Sequence, residues 1–201
     1  MRSLLTRGLT ALVLVGSLAA VAPAAHAETV VVRDARGDVK RFAPNTDRDA
    51  TISRAPRERS ADITRLRVTH SFKRIGVGVS VRDLDPAATQ VLDIQLRLPG
   101  GDRAFVSAST FDGRWSTFAA AGDAEGFREC QAWTTPRPAL DRLVVTIPRR
   151  CLNRPDWVRT TVSLATIEGN ERREIAFVDA VHQRIGFGES PLRYGPKVHV
   201  G

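Results

Sequence analysis

Past its first 22 residues this sequence has no apolar run approaching the ~20 residues that a membrane-spanning helix needs. Apolar residues nowhere recur convincingly at helical spacing, so no amphipathic helix is expected and a helical bundle is excluded. There is no H-x-x-x-H pair and no G-x-S-x-G elbow, two of the commonest hydrolase signatures. The two cysteines are not spaced as C-x-x-C, which argues against a redox dithiol. Lysine is confined to Lys40, Lys73 and Lys197, and arginine supplies the rest of the 30 basic residues. The arginines are scattered and form no stripe with interleaved aromatics, so no nucleic-acid partner is expected.

The first 27 residues carry a different signal. Arg2 and Arg7 form a positive head, Leu9 to Ala22 an apolar core, and Ala25 to Ala27 ("AHA") a small-residue cleavage site. The expectation is a signal peptide over residues 1–27 and a secreted mature chain from Glu28. No cysteine lies near the cleavage site to take a lipid. The remaining residues 28–201 fit one domain with a real core, at a formal charge of +6 once Arg2 and Arg7 are removed from +8. That surplus reads either as a solvated arginine-rich surface or as attraction to an anionic polymer.

Period-two alternation dominates the mature chain. Ile75, Val77, Val79 and Val81 share one face of "RIGVGVSV", and Leu92, Ile94, Leu96 and Leu98 repeat the arrangement in "VLDIQLRL". Further strands read in "TVVVRD", "ITRLRVTHSF", "RAFVSASTF", "RWSTFAAA", "RLVVTIP", "WVRTTVSLATI" and "REIAFVDA", separated by "LDPAA", "GGD", "DGR", "AGDAEG" and "EGNE". The expected fold is all-β: an antiparallel, jelly-roll-like sandwich. The polar stretch from Ala43 to Ser60 reads as a long loop, and the Gly- and Pro-rich tail as an irregular end. Cys130 and Cys151 flank a segment that folds back as a hairpin around Pro136, Pro138 and Asp141, so one disulfide is expected. Closing a loop of about 20 residues, it contributes roughly 3 kcal/mol.

An Asp-x-x-Gly-Asp turn in "RDARGDVKRF", then "SADITRLRVTHSFKRIGVGVSVRDL", resembles the start of extracellular sandwich modules of the DOMON and family-nine carbohydrate-binding kind. "VVTIPRRCLNRPDWVRTTVSLAT" is similar to a segment of secreted actinobacterial β-sandwich proteins. The resemblance implies a sugar, haem or other small ligand at one face or edge. The only methionine is Met1, so a Met/His axial pair for haem is not available in the mature chain.

Three sets of residues carry the functional expectations. Asp34, Asp38 and Asp62 are hard oxygen ligands in two loops that a sandwich can bring together, with Asp179 as a further member. They read either as turn-shaping residues or as a calcium site, and the spacing is not that of an EF-hand. Trp115 and Trp133, near turns, read either as core or as flat faces for sugar rings, whereas Trp157 reads as core. His70 continues the face of Leu66 and Val68 and reads as a packed core histidine. No nucleophile stands beside an Asp179 and His182 pair, and Asp83 and Asp85 read as a turn, so no enzyme is expected. The expected function is a non-catalytic binding module for a polysaccharide or anionic cell-wall polymer, with calcium as a structural ion. The alternative is a secreted structural or interaction protein that recognises another exported protein.

Overall fold

Leu66 and Val68 face the same way because side chains on an extended strand alternate, and the hairpin after them repeats the pattern. The strand Ile63–His70 (β4) pairs antiparallel with Arg74–Val81 (β5), setting Leu66 against Val79, Val68 against Val77 and His70 against Ile75. All six are buried. A bulge between Ile63 and Arg65 shifts the phase, so that Ile63 is buried as well as Leu66.

The computed structural model describes residues 27–43, 51–122, 126–170, 173–182 and 192–201. Of the expected signal peptide only Ala27 falls within them. The chain is an antiparallel β-sandwich of two sheets. The first has the order β1 (Glu28–Arg33), β4, β5, β11 (Arg142–Pro148), β10 (Trp133–Arg137). The second runs β3 (Thr51–Arg54), β2 (Lys40–Ala43), β13 (Arg173–Val181), β12 (Trp157–Asn170), β6 (Thr89–Arg97), β7 (Arg103–Phe111), β8 (Arg114–Gly122), β9 (Phe127–Cys130), with β14 (Val198–His199) paired to β12. Leu66, Val77, Val79, Leu143 and Val145 of the first sheet meet Leu92, Ile94, Leu96, Val106, Val162 and Leu164 of the second in one continuous core. Sequestering that apolar surface from water drives the two sheets together.

Nine strands follow the alternation expected from sequence. The others correct it. Part of the loop expected over 43–60 is the strand β3, the tail contributes β14, and β2, β9 and β10 were not anticipated. β3, β9 and β10 end their sheets, where only one side is paired and little apolar alternation is required. Pro136 sits in β10 without harm for the same reason.

Cys130 and Cys151 form a disulfide, as expected, with Cα atoms 5.6 Å apart. The hairpin between them is β10–β11, but the cysteines lie outside its strands. Cys130 ends β9 of the second sheet, and Cys151 lies in the short 3-10 turn Arg149–Leu152 that follows β11 of the first. The bridge therefore joins the two sheets at one end of the sandwich.

Candidate functional site

The chain crosses between sheets from β1 to β2 and again from β3 to β4, and aspartates sit on both crossings. Asp34 and Asp38 bracket the first, and Asp62 immediately precedes β4. Asp179 lies in β13, where its Oδ2 accepts the Ile63 N–H across the sandwich at 2.8 Å and its Oδ1 accepts the Ala180 N–H at 2.8 Å. Carboxylate oxygens of Asp38, Asp62 and Asp179 all lie within 4.8 Å of one another. Asp62 is 0% exposed and Asp179 1%, whereas Asp38 opens to solvent.

Among the described residues one cation pairs with this group. The Arg82 guanidinium donates to Asp62 Oδ2 at 2.8 Å, and the Gly37 N–H donates to the same oxygen at 2.9 Å. Gly37 has φ +77, and a β-carbon there would stand 3.3 Å from the Pro56 carbonyl oxygen, so the turn requires glycine. With Oδ2 doubly satisfied, Asp62 Oδ1 remains buried without a partner among the described residues, as does Asp34 Oδ2. Burial and then the neighbouring Asp38 push the Asp34 carboxyl up to about 6. Burial, with Asp38 and Asp34 adding to it against the hydrogen bonds from Ile63 and Ala180, pushes Asp179 to about 7. Such a group holds either protons or a hard cation. The four aspartates singled out in the sequence thus converge, while Arg82, the counter-charge, was not singled out.

A second feature lies at the other end of β4. The two-strand turn is tied by Ser71, whose N–H donates to the Arg74 carbonyl at 2.9 Å while its Oγ accepts the Arg74 N–H at 3.2 Å. Phe72 is left at the tip, 70% exposed. The Arg149 guanidinium stands 5.6 Å from its ring centroid, itself buried and held by the carbonyls of Pro155 (3.0 Å) and Arg154 (3.1 Å). Phe72 therefore has a fixed cationic support. The ring borders an open groove of about 890 Å³, together with Trp133, Lys73, Arg74, Arg150 and Arg154, and no Asp or Glu among the described residues lines it.

The two tryptophans put forward as a sugar platform do not share a face. Trp115 is half-buried against the core from β8, whereas Trp133 is 46% exposed on β10. Successive residues of β8 and β10 alternate, and Thr117, two residues from Trp115, bonds inward to Thr134, the neighbour of Trp133, at 2.8 Å. Trp133 finds its aromatic companion in Phe72, a lone aromatic in a tight turn that periodicity does not flag. Trp157 is half-buried with the Lys197 ammonium 4.4 Å from its ring centroid. His70 is fully buried, and its Nδ1 bonds the Val198 carbonyl at 3.0 Å. Burial holds its pKa below the usual histidine value, so the ring is neutral and Nδ1 carries the hydrogen. Comparison with known proteins finds no matching family model, no matching curated protein and no matching solved structure.

Proposed function

We propose that this chain is a secreted, non-catalytic module that binds a carbohydrate or other cell-envelope polymer bearing negative charge, with the ligand lying in the groove between Phe72 and Trp133. The observation that carries this reading is the pairing, in one groove, of two exposed aromatic rings with four exposed cations and no Asp or Glu among the described residues. An aromatic face suits the C–H side of a sugar ring, and Arg150, Arg154, Lys73 and Arg74 suit its carboxylate, sulfate or phosphate groups. Support for a non-catalytic role comes from the aspartates. Asp62 and Asp179 are closed to solvent, and the groove does not reach them.

The test is binding of acidic and neutral polysaccharides to wild type and to the double variant Arg150→Glu, Arg154→Glu. Both positions are exposed, so the variant should melt as wild type does. Wild type should bind the acidic polymer at low salt, lose affinity as ionic strength rises, and lose it further on charge reversal. Equal binding of acidic and neutral polymers, or none of either, removes the reading.

A second reading, recognition of another exported protein, is favoured by a different surface. Phe105, Phe118 and Phe127 cluster on the outer face of β7, β8 and β9, with centroids 5.6 and 5.7 Å from Phe105. Phe118 and Phe127 are 47% and 58% exposed. Capture of a secreted protein by wild type but not by Phe118→Ser, with no polymer bound, would favour it.

A further inference from the structure

We propose that Asp38, Asp62 and Asp179, with Asp34 beside them, bind one divalent cation of calcium's size, which locks the β1–β2 crossing onto β4 and β13. The donor set is oxygen alone, which suits a hard cation and not zinc or copper. Spacing allows a single shell, and ligand number favours calcium. Oxygens on opposite sides of a calcium ion lie about 4.6–5.2 Å apart and adjacent ones lie closer, so three oxygens within 4.8 Å of one another fit one shell. Magnesium keeps several waters and is usually held by only one or two carboxylates, so a group of three carboxylates suits calcium better.

An acidic cluster alone does not make a site; the orphaned oxygens do. Asp62 is wholly buried, its Oδ2 is saturated by Arg82 and Gly37, and its Oδ1 has no partner among the described residues. Asp34 is half-buried, but its Oδ2 is likewise buried without a partner among the described residues. A buried acceptor left unpaired is costly, and a cation among these carboxylates satisfies it directly. The charge count agrees, since among the described residues one guanidinium is paired with this group of four carboxylates, and its ion pair is with Asp62. Asp38 is exposed, so water can reach the remaining positions of a shell that takes six to eight oxygens. The ion would then hold the β1–β2 crossing, the residue before β4 and β13 of the second sheet at one point.

The competing solution is protons in place of the ion, and the two are separable. The full mature chain is stripped with chelator at neutral pH, then titrated with calcium or magnesium by calorimetry and thermal melting, as wild type, Asp38→Asn and Asp179→Asn. One calcium per chain is expected, with a saturable rise in melting temperature and a weaker response to magnesium. Asp38→Asn, at an exposed position, should melt no lower than wild type in chelator yet bind calcium roughly tenfold or more weakly. Asp179→Asn should lose the calcium response without depending on how the first variant behaves. No heat and no melting shift in wild type at about 10 mM calcium, above the weakest extracellular calcium sites, would leave protons as the occupant. An undiminished response in both variants would place the ion elsewhere, and an equal response to magnesium would overturn the size assignment. The groove plays no part in these readouts, so failure here leaves the polymer reading standing.

Discussion

The two ends of β4 face opposite electrostatic problems. At its start Asp62 is buried beside three other acids, with Arg82 as its one ion-pair partner among the described residues; at its end Phe72 stands in water among four exposed cations. The two regions lie roughly 30 Å apart along an extended strand. Charge of one sign is crowded at both, but only the first is desolvated. Solvent and salt screen the exposed cations, so their crowding costs the fold little and leaves them free for a ligand. The acids have no such relief, and their crowding becomes a property of stability.

The largest expected effect follows from that burial. Asp34 and Asp179 are raised to about 6 and about 7 from an ordinary 3.8, so the folded protein keeps protons that the unfolded chain releases. Stability from these groups is fully present below pH 3.8 and is lost as pH rises through 6 and 7. For Asp179 the displacement corresponds to something on the order of 4 kcal/mol. His70 and His182 act the other way, since burial lowers both and their contribution is lost as pH falls below 6.5. Asp179→Asn isolates the acid term. In chelator it should be slightly less stable than wild type at pH 4, because a single amide oxygen replaces two acceptors, and more stable at pH 7. Melting curves that keep the same order at both pH values would show that the crowding is relieved in some other way.

Next in size is the disulfide, which tests whether the two ends of β4 are independent. Replacing both cysteines by serine should cost about 3 kcal/mol of stability. The loss should not be confined to stability. Cys151 is the residue after Arg150, so loosening this turn should also weaken polymer binding, while the calcium response of the aspartates stays intact. Loss of both functions together would mean that the bridge holds the whole sandwich and not one end of it.

The regions also differ in how far they could be read from the chain. The sandwich was legible because Ile75, Val77, Val79 and Val81 alternate on a strand buried on one face, and the fold must bury them together. The aspartates were legible as a group because each sits at a turn or strand end, where an acid needs a reason. Their arrangement was not. Asp179 reaches Ile63 across 116 residues, and no local pattern encodes such a contact. Likewise, Arg82 carries no periodic mark of pairing with Asp62. The groove was half-legible. Trp133 stood out by its size, but Phe72 owes its exposure to a Ser71-tied turn and its support to Arg149, a buried arginine that resembles the exposed ones in sequence. Edge strands such as β3 and β10 stayed hidden because they bury too little to show alternation.

The smallest effect on the fold belongs to Trp133, and it sharpens the contrast with Trp115. Trp115→Ala removes a ring packed against the core and should cost about 3 kcal/mol, at the lower end for a large aromatic because the ring is only half-buried. Trp133→Ala removes a ring that faces the groove and should change stability by no more than about 0.5 kcal/mol. In binding the order reverses. Loss of the exposed ring should weaken an acidic polysaccharide by a factor that persists at high salt, because stacking is not screened as ion pairing is. Charge reversal at Arg150 and Arg154 should instead matter most at low salt. Tryptophan fluorescence of the wild-type complex reports on the same surface: it should change on binding and lose that change in Trp133→Ala but not in Trp115→Phe. If the signal survives without Trp133, the polymer lies outside this groove, and the exposed phenylalanines of β8 and β9 become the surface to mutate.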